Sequence, residues 1–107
     1  MASSAVDQAL KALISEEISR VKLLPDNELT GLGDTGVTFR ALVCGKPYDI
    51  NTWSEPVAGN AAGICAIFVG AWRKLPLGSA KHHFQGFVVA TDGSRIDIPE
   101  ADLWRYD

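Results

Sequence analysis

Clustered positive charge, closely spaced cysteines, histidines at chelating spacing and long apolar runs are all missing from this 107-residue chain, and each absence removes a class of function. The ten Lys and Arg residues are scattered singly or in the pair Arg73-Lys74, against 13 Asp and Glu, for a net charge of −3. Binding to nucleic acid or to an anionic membrane surface needs basic side chains gathered on one face, so neither is expected. The longest apolar run, Ala61 to Trp72, falls short of the roughly 20 residues a spanning helix requires. Asp7 and Lys11 interrupt the stretch in which a signal peptide would be apolar. A cytoplasmic protein is the expectation.

The two cysteines, Cys44 and Cys65, form no metal-binding or redox spacing. Both sit in apolar, strand-like runs and are expected to be buried free thiols. The two histidines, His82 and His83, are adjacent, and adjacent residues of a strand point to opposite faces, so they cannot chelate one ion from extended backbone. No metal, cofactor or catalytic residue is assigned.

Two apparent motifs dissolve on inspection. Gly31-Leu-Gly-Asp-Thr-Gly36 has the glycine spacing of a dinucleotide loop, but it leads into a strand where the motif must open a helix. Asp26, Glu28, Thr30 and Gly31 resemble the start of a calcium loop, yet the twelfth position is Val37 where a bidentate Glu is required.

What is present is pattern. The chain is 47% hydrophobic and 21% charged, the balance of one globular domain spanning 1–107. It divides into a helix (1–24), a turn-rich connector (25–36) and an antiparallel sheet (37–107). Val6, Ala9, Leu10 and Leu13 form an apolar stripe at helical spacing, continued by Ile14, Ile18 and Val21. The stripe swings sideways near Ser15, so the helix either bends there or leaves the core with Glu17 paired to Arg20; a buried Glu17 is the alternative. From Val37 the period becomes two, and Gly45-Lys-Pro47 turns the chain into a second strand ending near Trp53. Ile64 to Trp72 is apolar at both parities, the pattern of a central strand covered on both faces.

Phe84 to Ile98 reads as a hairpin with a two-residue Asp92-Gly93 loop. That loop pairs Val89 with Ile96 and Phe87 with Ile98 on a buried face, with a bulge at Gly86 to bring Phe84 into phase. Pro99 to Tyr106 suits a short helical turn. The expected fold class is α+β: an N-terminal helix packed on a strongly bent antiparallel sheet or half-open small barrel of about five strands, closed by the C-terminal helical turn.

Such a chain specifies a fold far better than an activity. Trp53, Trp72 and Trp104 stand at or near segment ends with Arg73 and Arg105 beside them, the residue types enriched at interface hot spots, although Trp at a strand end also serves to close a small core. The leading expectation is a small non-enzymatic protein-interaction module of the adaptor or inhibitor type, homo-oligomeric (a dimer) or bound to another protein. The alternative is a small-molecule binding protein with an apolar pocket between sheet and helix, edged by Trp72, His82 and His83 and holding a small apolar ligand.

Overall fold

The computed structural model describes residues 5–57, 63–75 and 78–106, and the side chains of these except 74, 75, 78–82 and 104–106. The helical stripe becomes α1 (Ala5–Lys22), unbroken through Ser15, and α2 (Asp26–Thr30) interrupts the connector. The period-two stretches become β1 (Val37–Val43), β2 (Lys46–Glu55), β3 (Cys65–Leu75), β4 (Gly78–Val89) and β5 (Arg95–Asp97). They lie side by side in chain order as one antiparallel sheet that is not closed, and a 3₁₀ turn follows at Glu100–Tyr106.

Helix α1 covers one face of the sheet. Leu10, Ile14 and Val21 pack there against Ile50, Ile67, Val69, Phe87 and Val89. These side chains are almost wholly withdrawn from water, each gaining roughly 1.5–3 kcal/mol by burial. Glu17, expected at the edge of the core or within it, is nine-tenths buried and accepts a hydrogen bond from the Arg20 guanidinium, which raises the Arg20 pKa. The opposite face carries a smaller cluster of Ala66, Phe68 and Leu103, with Trp53, Phe84 and Ile98 packed at its margin. As its two-parity pattern requires, β3 is hydrogen-bonded on both sides, and Ile67 and Phe68 are both fully buried on opposite faces.

The β4–β5 hairpin departs from the sequence expectation by one residue. Phe87 faces Asp97, Val88 faces Ile96 and Val89 faces Arg95. The loop holds three residues, Thr91 to Gly93, with the Ala90 amide donating to the Ser94 carbonyl and Gly93 at φ 90°. This is the turn with a left-handed residue that forms a bulge, and it competes well with the two-residue loop wherever Asp-Gly is followed by a residue that can satisfy the Asp. Ser94 does so, since its amide and hydroxyl both donate to Asp92 Oδ1 and hold that carboxylate below its ordinary pKa.

The shift leaves Ile96 exposed and turns Ile98 towards the smaller cluster, while Phe87 and Val89 stay buried as expected. It also delivers Arg95 to the helix side of the sheet. There its guanidinium donates to the Lys22 and Leu24 carbonyls at the end of α1 and meets Asp26 of α2 at 2.6 Å. Last-turn carbonyls have no partner within the helix, so one half-buried cation joins the hairpin to both helices.

Two further expectations are corrected. The bulge in β4 is at His82, the residue left over where Ala71 pairs with His83 and Trp72 with Lys81; Gly86 remains in register. The β1–β2 turn is the two-residue Cys44-Gly45, since Val43 pairs with Lys46, and both turn residues have positive φ (52° and 78°). Cys44 is therefore exposed at a hairpin tip and only Cys65 is buried.

Candidate functional site

Three rings gather on the face away from α1. Alternation along antiparallel strands puts Trp53 opposite Phe68, and Phe68 opposite Gly86, in one row across β2, β3 and β4. Trp53 stacks on Phe68 with centroids 5.5 Å apart and planes at 26°, and Phe84 closes the triangle at 6.5 Å from Trp53 and 5.8 Å from Phe68. Glycine makes the room. A β-carbon on Gly86 would stand 2.5 Å from Phe68 Cδ1, and one on Gly70 would stand 3.2 Å from the Trp53 ring and from Phe84 Cβ. The rings thus pack over positions without side chains, Phe84 tilted 34° to Trp53 and 56° to Phe68, and Trp53 and Phe84 are half-buried. The indole is oriented by Nε1–H donating to Glu55 Oε2 at 3.0 Å.

A cleft of about 350 Å³ adjoins the triangle on its Phe84 side, where β5 has ended and the 3₁₀ turn begins. Its apolar wall is Phe84, Ile98 and Leu103; Lys11, His83, Gln85, Asp97 and Glu100 supply the polar rim. Opposite charges on that rim and an apolar wall suit a small amphipathic group. Among the described residues no group of three or more His, Cys, Asp or Glu is placed to hold a metal.

The residues singled out in the sequence separate in space. Trp53 belongs to the ring triangle and His83 to the cleft. Trp72 lies on the same sheet face opposite Asp49, four residues along β3 from Phe68 and so roughly 13 Å away. Arg73 lines a separate depression of about 270 Å³ with Arg40, Pro47 and Asp49. Trp72 does not line the cleft that His83 does. The side chains of His82, Trp104 and Arg105 lie outside the described residues.

Phe68, Phe84, Gly70 and Gly86 were not read as parts of a site in the sequence, although the signal was there. Phe84 shares its parity with Gly86 and Val88, and reading it as the opposite face, with no bulge, would have found the triangle. Burial pushes the Cys65 thiol pKa up, with nearby Arg95 opposing in part.

Comparison of the chain with protein-family models, with curated proteins and with solved structures finds no match.

Proposed function

We propose that this protein is a small non-enzymatic interaction module that acts by contact, and that copies of it associate with one another through surfaces that include Trp53. The observation that carries this reading is the unequal cover of the sheet. One face is closed by an 18-residue helix, whereas the other leaves Trp53 and Phe84 half-exposed over glycines beside a short 3₁₀ turn. Further along that face Leu42 stands 76% exposed on the edge strand. Aromatic side chains of this kind, rigid and oriented before contact, are the residue types that carry binding energy.

Replacing Trp53 by Ala tests the reading through two separate measurements. The substitution removes two ring contacts from the edge of the smaller cluster and is expected to cost about 1–2 kcal/mol of stability, leaving the chain folded. Light scattering should show self-association weakened at least tenfold, beyond what that loss of stability explains. Association unchanged beside a lowered melting temperature would make Trp53 a core residue only.

The cleft beside Phe84 supports a second reading, a small ligand with an apolar body and a polar end. A rise in melting temperature with such a compound, lost on Phe84→Ala, would favour it.

A further inference from the structure

We propose that two copies of this chain join edge to edge through β1, antiparallel about a two-fold axis at Phe39, to give one continuous ten-stranded sheet. The proposal rests on the reading above that copies associate, and adds where they do so.

The two edges of the sheet differ in kind. β5 is three residues long, carries Asp97 and is followed by Pro99, all devices that discourage a further strand. β1 has seven residues in unbroken register with β2, with neither proline nor lysine among them. Its outer row of backbone donors and acceptors faces no strand among the described residues. Three of its apolar side chains are uncovered: Val37 is 57%, Phe39 42% and Leu42 76% exposed. On the helix side Phe39 forms one wall of an open groove with Leu13 and Arg20 of α1.

Charge excludes the central register. A continuous sheet requires paired residues to share a face, so the axis passes through a residue of β1. An axis at Arg40 would set Arg40 against its own copy, like charges directly opposed. An axis at Phe39 sets Phe39 against Phe39, Val37 against the second copy's Ala41, and Thr38 against its Arg40. Arg40 is already held on its inner side by Asp49, at 3.4 Å, and Thr38 by Asn51, so the row across the junction alternates without like charges meeting.

The same axis brings the second copy's Leu42 level with Gly36, which itself lies against the Trp53 backbone. With no side chain at Gly36, the exposed Leu42 of one copy reaches towards the half-buried Trp53 ring of the other, two strand spacings or roughly 10 Å away between backbones. One junction thereby draws in β1, Leu42 and Trp53 together.

The test uses the full chain with Cys44→Ser, so that the only native thiol left is the buried Cys65. Phe39→Cys in that background, treated with a short thiol-to-thiol crosslinker, is expected to become a covalent dimer. Val37→Cys alone is not, whereas Val37→Cys mixed with Ala41→Cys is. Thr38→Glu, which places a carboxylate opposite the second copy's Arg40 twice per dimer, should tighten association roughly 2- to 30-fold, and Thr38→Arg should weaken it. The Thr38 pair is read by sedimentation and stands even if a cysteine variant fails to fold. No crosslinking at position 39 in a protein that sediments as a dimer, or tightening absent with Thr38→Glu, overturns the β1 junction and leaves association through another surface. A wild-type chain that sediments as a monomer overturns the functional reading as well.

Discussion

Phe68 and Gly86 face each other across β3 and β4 so closely that the ring occupies the space a side chain at 86 would need, with Cδ1 2.5 Å and the Ile67 carbonyl 2.9 Å from an added β-carbon. The ring is fully buried and stacked on Trp53, so it has nowhere to retreat. Gly86→Ala is expected to cost roughly 1–3 kcal/mol, as overpacking does, and to lower the melting temperature by about 5–20 °C. Calorimetry reads it directly. A variant as stable as the parent would mean that the rings do not sit on the glycine.

Arg95 ties α1, α2 and the hairpin with one guanidinium that is 16% exposed. Arg95→Ala leaves the Lys22 and Leu24 carbonyls and Asp26 without it and is expected to destabilise by about 2–4 kcal/mol. Arg95→Lys should recover less than half of that loss, since an ammonium cannot hold three groups in one fork. Urea unfolding of the two variants measures both. Equal stability of the Lys variant and the parent would show that charge alone suffices there.

The two thiols should behave oppositely. Cys44 stands at a hairpin tip and is expected to react with a thiol reagent within minutes near pH 8, whereas Cys65, buried and with its pKa raised, should react only on unfolding. The raised pKa keeps the Cys65 thiol protonated above the pH at which a free cysteine ionises, so raising the pH through that range should not bring on its labelling in the folded protein. Cys44→Gly removes a side chain from φ 52° and is expected to stabilise by about 0.5–1 kcal/mol. Mass spectrometry of the labelled native protein identifies the site, and labelling at Cys65 without unfolding would contradict the placement.

Most of the fold was legible because burial repeats with the period of the backbone. The stripe from Val6 to Val21 became one helix, and the two-parity run from Ile64 to Trp72 became the central strand Cys65–Leu75. Failures fell at turns and at the β4 bulge, where a single residue decides register. Asp92-Gly93 reads as a two-residue loop until Ser94 is allowed to satisfy Asp92, and Cys44 reads as strand until Val43 and Lys46 are paired. Each slip moved side chains to the other face: Ile96 went out, Arg95 came in.

The candidate site was legible only in part. Trp53 could be found by its type, but its neighbours Phe68 and Phe84 come from two other strands, and the glycines that seat the rings carry no chemistry of their own. The β1 edge was invisible for a different reason. Being an edge depends on strand order, which nothing in the alternation of Val37 to Val43 encodes.

That this protein acts through contact between its own copies is tested most directly by its mass in solution. Sedimentation equilibrium from about 1 to 200 μM should show a species of twice the 11.5 kDa chain, giving way to the single chain on dilution. A mass of one chain throughout that range would contradict the claim.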